Sequence, residues 1–337
     1  MTASPQHGKS KHVAIFASPR AGSGAGREEI PRLTRQLNED GFHVCTCESA
    51  DQLKKWCVAR RAGPSPCKAT VVAAGGDGTI TLAASAMLKV DVSLDSVPHE
   101  PHHPAANSLS PCLLPMPLGT ENLLAKHFGH LATAAGVRAI IENGKRASLD
   151  MGMVRRIADP ASLRRAMVAK PMLTMVSCGF DADVVRQVHL KRKGHIRRLN
   201  YFAPIFNAMR SYDFPELTVE LLGADGTIDQ QLKGGWAMVF NLPRYAGGLK
   251  IEPDAIGDDG WLDVIVFKGR NWLKGLSYFA RIQTGKHLHH PDITRVKAQR
   301  VRITSDQRVH YQIDGDYVGR IPIEITTCPQ AIELLVP

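Results

Sequence analysis

The chain has 337 residues, of which 44% are hydrophobic and 22% are charged, which is ordinary for a soluble protein. This length favours two domains, each large enough to bury its own core. The longest apolar stretches, residues 236–242 and 261–267, have the length of strands, which excludes a membrane-spanning helix. The formal net charge of +10 favours an anionic partner, but it does not choose between nucleic acid, a membrane surface and a phosphorylated ligand.

The first residues and the cysteines favour a cytosolic protein. Residues 1–11 are polar and hold no apolar core, so we expect a disordered lead-in without a secretory signal. The cysteine spacing forms no metal-binding framework, and we expect reduced thiols in a cytosolic protein. The seven cysteines are Cys45, Cys47, Cys57, Cys67, Cys112, Cys178 and Cys328.

The first part of the chain alternates short apolar runs with helical patterns. Strands are predicted over residues 12–17, 42–47, 68–74 and 112–116. Helices are predicted over residues 27–38, 51–61, 80–88, 123–128 and about 131–141. This alternation predicts an α/β domain over residues 12–144, with a parallel sheet whose faces are covered. Residues 93–111, which hold four prolines and three histidines, are expected to form a flexible insert.

From about residue 145 the pattern changes to short apolar runs separated by turn signals. Strands are predicted over residues 147–154, 172–178, 217–222, 235–241, 262–267, 300–304, 309–313 and 321–326. This pattern predicts an antiparallel β-sandwich over residues 145–326, interrupted by helices at about 191–211 and 271–285. Residues 327–337 form a tail, and the sequence leaves open whether it returns to the first domain.

The pentapeptide Gly75-Gly76-Asp77-Gly78-Thr79 lies between a buried strand and a predicted helix. Glycines let the backbone approach a ligand closely, and the helix N-terminus offers unpaired N–H groups to a phosphate. An aspartate in such a turn repels phosphate unless a divalent cation lies between them. The pattern therefore predicts phosphoryl transfer with a metal ion.

Two further loops, residues 18–26 and 119–122, also follow predicted strands. In a parallel sheet such loops meet at the carboxyl edge, where ligands bind. Ordinary tight turns are the alternative at each position. Neither loop, nor residues 75–79, fits a Walker P-loop or the Rossmann glycine fingerprint.

Six ordered motifs between about residues 13 and 326 resemble the diacylglycerol kinase catalytic family, which includes bacterial diacylglycerol kinases, sphingosine kinases and ceramide kinases. The motifs are Ser18-Pro19-Arg20-Ala21-Gly22-Ser23-Gly24, Gly75-Gly76-Asp77-Gly78-Thr79, Pro117-Leu118-Gly119-Thr120-Glu121-Asn122, Ser177-Cys178-Gly179-Phe180-Asp181-Ala182, Asp258-Asp259-Gly260-Trp261-Leu262-Asp263 and Ile313-Asp314-Gly315-Asp316.

The resemblance implies an α/β nucleotide-binding domain, similar to phosphofructokinase and NAD kinase, followed by a β-sandwich. It implies ATP and Mg²⁺ as cofactors and Asp314 as the catalytic base. The implied nucleotide contacts are Ser18, Pro19, Arg20, Thr46, Gly75, Gly76, Asp77, Gly78, Thr79, Gly119, Thr120 and Asn122. It implies Asp259 as a metal ligand, helped by the backbone carbonyls of Ile256 and Trp261. Asp77, Asp263 and Asp316 are further candidate metal ligands, because Mg²⁺ prefers oxygen ligands and these residues supply carboxylates.

Three residues depart from the pattern of this family. Ser18 stands where asparagine is usual, and Glu121 replaces a small residue. Leu123 stands directly after Asn122, where bacterial diacylglycerol kinases have an aspartate. Glu121 is one candidate to supply the missing negative charge. These departures leave the metal arrangement and the identity of the lipid open.

The basic residues from Lys191 to Arg198 precede an aromatic, apolar stretch. Such a pairing favours contact with an anionic membrane surface, and a solvated basic face beside a core helix is the alternative. No nucleic-acid recognition motif is present. We therefore expect a cytoplasmic protein that associates peripherally with membranes, and the oligomeric state, a homodimer included, is left open.

The sequence favours an ATP- and Mg²⁺-dependent kinase that phosphorylates a hydroxyl of a diacylglycerol or sphingoid-like lipid. NAD kinase, which shares the glycine-aspartate loop, is one alternative. A catalytically silent lipid- or nucleotide-binding regulator is another, because of the residues at positions 18 and 123.

Overall fold

The computed structural model describes residues 12–17, 25–61, 69–88, 111–157, 169–191, 210–245 and 248–337. The predicted lead-in, the loop at residues 18–24, the insert up to residue 110 and the basic residues 192–198 lie outside these ranges. The chain forms two compact units, one of Met1–Asp91, His103–Leu149 and Gln330–Pro337, the other of Val92–His102 and Asp150–Pro329. The sequence predicts divisions at 144/145 and 326/327, whereas the two units divide at 149/150 and 329/330.

The first unit contains four parallel strands and five helices within the described ranges. In chain order they are β1 (His12–Ala17), α1 (Ala25–Glu39), β2 (His43–Cys47), α2 (Ala50–Arg61), β3 (Ala69–Gly75), α3 (Asp77–Met87), β4 (Cys112–Pro117), α4 (Leu123–Phe128) and α5 (Ala134–Asn143). The strands lie in the order β2-β1-β3-β4, and the end of the last strand of the chain pairs Leu334 with Leu113 on the other side of β4. The predicted parallel α/β sheet is confirmed.

The interior of this unit explains why its strands are apolar along their whole length. All seven residues of β3 are buried, because helices cover both faces of a parallel sheet. Helix α1 contributes Leu33 and Leu37, which lie one turn apart, to the core beside Val72 and Leu114. The sheet is therefore a rigid base for the loops that follow its strands.

The second unit is mostly antiparallel. Its elements are β5 (Lys145–Arg156), which begins in the first unit, β6 (Lys170–Met172), β7 (Met175–Cys178), α6 (Phe180–Lys191), β8 (Leu217–Leu222), β9 (Ile228–Gly234), β10 (Trp236–Phe240), β11 (Arg244–Tyr245), β12 (Leu249–Lys250), β13 (Leu262–Phe267), α7 (Trp272–Gln283), β14 (Ile293–Ala298), β15 (Arg300–Thr304), β16 (His310–Ile313), β17 (Asp316–Arg320) and β18 (Ile323–Val336), which ends in the first unit.

Two sheets of this unit face each other across one apolar core. One sheet has the order β14-β13-β10-β7-β16-β17, and the other runs β18-β15-β8-β9 with β5 beside β18. Val239 and Val264 of the first sheet share a buried cluster with Val219, Val301 and other residues of the second. Packed inner faces of this kind define a β-sandwich, as the sequence predicts.

The structure corrects several sequence-based element boundaries. The predicted strand over residues 172–178 is two strands, interrupted at Leu173 and Thr174. Helix α3 begins at Asp77 rather than at residue 80. Helix α6 is not predicted by the sequence pattern, and residues 192–209 of the helix predicted at about 191–211 lie outside the described ranges. Strand β9 was not predicted, because it is mostly polar and exposed and is ordered by its pairing with β8.

The cysteines and the helices of the described ranges have two further features. The six cysteines that fall within those ranges are free thiols. None of the helices described is both long and apolar enough to cross a bilayer.

Candidate functional site

The loops after β1 to β4 leave the same edge of the first unit's sheet. The parallel registers place Phe16 opposite Cys47 and Ala73, and Gly75 opposite Pro117. Residues 75–79 and 117–122 are therefore neighbours at the carboxyl edge, where α/β sheets bind ligands. Thr46 lies at this end of β2 and is exposed. Ser18, Pro19 and Arg20 follow β1 but lie outside the described residues.

Glycine is required where the loops after β3 and β4 touch. A Cβ atom on Gly119 would lie 2.4 Å from the Cα of Gly76, and one on Gly75 would lie 2.3 Å from Oγ1 of Thr79. The N–H of Leu118 also donates to the carbonyl of Gly75 at 2.9 Å. The two loops thus present their backbone, without intervening side chains, to anything bound at this edge.

The start of α3 supplies the helix terminus that the sequence predicts for phosphate binding. The N-cap residue, Gly76, is extended (φ −87°, ψ −176°), and no side chain caps the helix. The N–H groups of Thr79 and Ile80 both donate to the carbonyl of Gly76. Asp77 is half-buried in the first turn and Gly78 is exposed, so an anion at this terminus would meet both the helix dipole and a carboxylate. A cation between that carboxylate and the anion would reconcile the two.

Asn122 holds the loop after β4 in shape. Its backbone is left-handed (φ 51°), a conformation that asparagine tolerates well. Its side-chain oxygen accepts from the N–H of Gly119 at 3.0 Å, and its amide group donates to the carbonyl of Gly119 at 2.7 Å. These bonds indicate a positioning role for Asn122. Thr120 is exposed on the same loop, and its predicted contact with a nucleotide stays a prediction.

Leu123, at the position where an aspartate was expected from the family pattern, faces the interior. Leu123 is 5% exposed and begins helix α4 together with the buried Leu124. A charged side chain at this buried position would need a partner. The structure therefore gives a packing reason for leucine here, and Glu121 beside it is only half-buried.

Asp314 connects the turn between β16 and β17 to the break between β6 and β7. One carboxylate oxygen accepts from the N–H groups of Thr174 and Met175 and from the Thr174 hydroxyl, at 2.7 to 3.0 Å. The other oxygen accepts from the N–H of Leu173 at 2.9 Å. The residue is itself left-handed, with φ 51°. Both oxygens are therefore engaged in holding the backbone, and the predicted role as a base stays a prediction.

Asp316 stands two residues later in different surroundings. It is exposed as the first residue of β17, after Gly315, whose φ of 91° suits glycine. The N–H of Gly315 donates to the side-chain oxygen of Gln312 at 2.7 Å, which fixes the turn. The turn thus presents the carboxylate of Asp316 on a well-supported backbone.

Asp259 and Asp263 form an acidic pair with Lys297. The Lys297 ammonium lies 2.6 Å from Oδ2 of Asp259 and 3.8 Å from Oδ1 of Asp263. Oδ2 of Asp263 is buried and has no hydrogen-bond partner among the described residues. Burial raises the pKa of Asp263 to about 6, against the attraction of Lys297, because desolvation penalises the ionised form.

This pair has part of the chemistry that a magnesium ion requires. Carboxylate and carbonyl oxygens are the ligands that Mg²⁺ prefers, and Oδ2 of Asp263, without a hydrogen-bond partner among the described residues, would suit a cation. Within the described ranges, however, no three His, Cys, Asp or Glu side chains are grouped tightly enough to hold a metal. Metal binding by Asp77, Asp259, Asp263 and Asp316, with the carbonyls of Ile256 and Trp261, stays a prediction.

Two buried aspartates of the second unit, Asp150 and Asp181, hold neighbouring groups by hydrogen bonds and were not predicted as site residues. Asp150 of β5 is fully buried, and its Oδ2 accepts from the N–H of Gly260 at 2.6 Å, which anchors the Asp259 turn. The only sequence signal for it is a charged residue inside an apolar run. Asp181 accepts from the ring N–H of Trp236 at 2.8 Å, from the Tyr245 hydroxyl at 3.0 Å and from the Ser177 hydroxyl. Burial raises the pKa of Asp181, against these bonds.

Comparison with known families matches almost the whole chain to two domain families. Residues 12–154 match the diacylglycerol kinase catalytic domain. Residues 174–336 match the YegS C-terminal NAD kinase beta sandwich-like domain. The two matches follow each other in the order of the two structural units.

Characterised relatives and solved structures agree with these matches. The chain is 25% identical to a diacylglycerol kinase of Mycobacterium tuberculosis over 96% of its own length and 95% of the relative. It is 23% identical to a diacylglycerol kinase of Bacillus subtilis, with 97% of each chain covered. A diacylglycerol kinase structure from Bacillus anthracis superposes with a TM-score of 0.65 at 18% identity, covering 98% of both chains. Yeast NADH kinase shares the fold with a TM-score of 0.50 at 12% identity, over 98% of this chain and 84% of the other.

Proposed function

The chain belongs to the diacylglycerol kinase catalytic family and is therefore a lipid kinase, and we propose that it transfers a phosphoryl group from ATP to the hydroxyl of a diacylglycerol-like lipid. The observation that carries this proposal is the pair of glycine loops at the carboxyl edge of the parallel sheet. Their close contact at Gly76 and Gly119 leaves backbone beside the start of α3, which no side chain caps, and this suits a triphosphate.

The first unit is proposed to hold the nucleotide. The N–H groups at the start of α3 would bind phosphate oxygens, and Asn122 would keep Gly119 and Thr120 in position. In the first unit, Asp77 would hold Mg²⁺ beside the phosphates. In the second unit, Asp259 and Asp263 are the proposed metal ligands. When bound, Mg²⁺ would neutralise the negative charge of the triphosphate.

The proton of the attacking hydroxyl needs an acceptor, and the turn at residues 314–316 offers two carboxylates. The resemblance to the family assigned this role to Asp314. Four hydrogen bonds to Asp314 favour a positioning role, because a base needs a lone pair directed at the substrate. We propose Asp316 as the proton acceptor, and its exposure at the start of β17 supports this assignment.

A direct test is to incubate the purified chain with radiolabelled ATP and Mg²⁺ and a panel of acceptors. The panel contains diacylglycerol, sphingosine, ceramide and NAD, and the labelled products are separated and identified. We expect labelled phosphatidic acid. Label in NADP instead, or ATP binding without transfer to any lipid, would contradict the proposal. Label only in a sphingoid product would mean that the lipid substrate is a sphingoid base rather than a diacylglycerol.

A further inference from the structure

Helix α7 of the second unit has two apolar faces, and one of them is exposed. Tyr278 and Ile282 pack inward, in the same buried cluster as Phe267. At the start of the helix, three large apolar side chains face outward: Trp272 is 39% exposed, Leu273 60% and Leu276 38%. Exposed apolar side chains are normal when scattered singly, but a group of three on one short stretch indicates an interaction surface.

The segment around this helix is uniformly basic. Residues 268–291 contain five lysines and arginines, three histidines and no aspartate or glutamate. Lys274 pairs with Asp292 at 2.5 Å and Arg270 with Glu216 at 2.9 Å. Lys268, Arg281 and Lys286 are exposed, and no acidic side chain of the described residues pairs with them. The three apolar side chains thus lie in a chain segment that carries three exposed positive charges without an acidic partner among the described residues.

The helix is held firmly in place on the sandwich. The side chain of Asn271 caps its N-terminus by accepting from the N–H of Lys274 at 2.9 Å. The Tyr278 hydroxyl accepts from the N–H of Gly269 at 2.8 Å, and the Tyr278 ring packs beside Phe267. The exposed side chains are therefore presented on a preformed helix, which reduces the ordering cost of binding.

We propose that α7 docks the protein on an anionic lipid bilayer, with Trp272, Leu273 and Leu276 inserted among the lipids. These three residues are called the α7 apolar face. Lys268, Arg281 and Lys286 would lie at the headgroups and interact with anionic lipids. The inference rests on the proposed lipid substrate for its choice of partner, since a lipid kinase meets its substrate in a membrane.

The charge and the residue types favour a bilayer over a protein partner. Interfacial helices combine a basic polar side with tryptophan, phenylalanine and leucine on the other. Tryptophan is enriched at membrane interfaces because its ring is apolar and its N–H is polar. Lysine, by contrast, is depleted from protein–protein interfaces. Each lysine or arginine near an anionic surface adds to the attraction, so binding should weaken as salt rises.

Sedimentation with vesicles in the absence of ATP tests the docking directly. The probes are vesicles of phosphatidylcholine alone and of phosphatidylcholine with phosphatidylglycerol. We expect the wild-type protein to bind the anionic vesicles and the triple variant Trp272→Ser, Leu273→Ser, Leu276→Ser to bind at least about tenfold more weakly. Ile228→Ser, which removes an exposed apolar side chain from the edge strand β9, is the matched control and should bind like the wild type.

A charge series separates the electrostatic part of the binding. Lys268→Glu, Arg281→Glu and Lys286→Glu together should abolish the preference for anionic vesicles, while the exposed Arg308→Glu should preserve most of it. The proposal would be overturned if the wild-type protein did not bind the anionic vesicles. Equal vesicle binding by the triple serine variant would also overturn it. A change in the oligomeric state of that variant, measured by light scattering, would overturn it too, because it would indicate that a second copy of the chain occupies the α7 apolar face.

Fluorescence reports whether the face enters the bilayer. Lipids brominated in their acyl chains should quench the tryptophan emission of the wild type and of Trp261→Phe, but should have little effect on the emission of Trp272→Phe.

Phosphorylation of a short-chain diacylglycerol in detergent micelles is measured in parallel on the triple serine variant. Retained micellar activity with lost vesicle binding supports the docking, and absent activity in the wild type would instead contradict the proposed function.

Discussion

Asp314 and Asp316 belong to one turn, but the same substitution should affect them differently. Asp314→Asn replaces one of the two accepting oxygens by an NH₂ group, which donates and cannot accept from the N–H groups of residues 173 to 175. The unfolding free energy should therefore fall by about 1–3 kcal/mol. Asp316→Asn changes an exposed residue and should leave stability within about 0.5 kcal/mol. It should nevertheless lower kcat for lipid phosphorylation by about 100-fold or more.

Urea unfolding and steady-state kinetics on the two variants distinguish these roles. A stable Asp314→Asn protein without activity, beside a fully active Asp316→Asn protein, would return the proton acceptor to Asp314. Asp316→Glu keeps a carboxylate at the turn and serves as the conservative control, with a larger residual rate than the asparagine variant.

Asp263 should make stability depend on pH in a direction opposite to that of a salt-bridged carboxylate. Its folded-state pKa is raised from the ordinary 3.8 to about 6, mainly by burial. Between these values the folded protein binds the proton more readily than the unfolded chain, so this group's contribution to stability falls as pH rises through the window. Asp263→Asn should therefore be more stable than the wild type above about pH 7, by about 1–2 kcal/mol.

Thermal or urea unfolding in the presence of a chelator, from about pH 4 to pH 8, measures this difference. The gain in Asp263→Asn should shrink as pH falls through the window and vanish near its lower end. A gain that is the same at every pH would show that the carboxylate of Asp263 is not responsible.

At the scale of elements, the contact between the two glycine loops carries the proposed nucleotide site. Gly119→Ala places a methyl group 2.4 Å from the Cα of Gly76, where only backbone movement can relieve the clash. Moving the loops apart should weaken ATP binding at least about tenfold and destabilise the protein by about 1–3 kcal/mol. Calorimetric ATP titration and urea unfolding measure the two effects.

Gly319→Ala is the matched control for this substitution. Its new Cβ would meet its nearest neighbour, a ring carbon of Tyr311, at an ordinary 3.5 Å. It should therefore bind ATP like the wild type. Normal ATP affinity in Gly119→Ala would mean that the nucleotide does not use the apposed loops.

Strands with a clear apolar pattern in their own residues could be predicted from the sequence. Features held by contacts with residues far along the chain could not. Strands β1, β8 and β13 are predicted within a residue, because their apolar residues are continuous or alternate strictly. The break at Leu173 and Thr174 could not be predicted, because the groups that hold it belong to Asp314, far along the chain. Asp150 was missed for the same reason, since its partner Gly260 is also distant in sequence.

At the scale of the whole molecule, the sandwich contains a buried charge cluster that the apolar pattern did not reveal. Glu324 of β18 is 1% exposed and accepts from Arg155, Arg300 and Arg302 at 2.7 to 3.3 Å. Burial acts to raise the pKa of Glu324, but Arg300 and Arg155 outweigh it and hold the pKa below its usual value. The cluster joins β5, β15 and β18 within the second unit.

Glu324→Gln should be strongly destabilising, because it leaves the arginines around a neutral side chain. We expect a loss of about 3 kcal/mol in unfolding free energy, measured by urea titration. Glu216→Gln, which removes an exposed carboxylate paired with Lys233 and Arg270, is the control and should change stability far less. Equal effects at both sites would contradict the importance assigned to burial.

The two-unit architecture could be predicted because the hydrophobic period changes near residue 145, and that change is a property of the local sequence. The chemistry of the site was only partly predictable. The glycines at 75, 76 and 119 indicate the loops, but the roles proposed for Asp314 and Asp316 depend on hydrogen bonds from residues 173–175, far along the chain. Predictions from motifs are thus strongest for backbone-lined sites and weaker for side-chain roles.

A crystal structure of the chain with a non-hydrolysable ATP analogue and Mg²⁺ tests the central claim most directly. The account predicts that the triphosphate lies against the N-terminus of α3, in contact with the backbone of residues 76–79 and of the loop at Gly119 and Thr120. A nucleotide bound elsewhere, with the start of α3 unchanged and facing solvent, would contradict it.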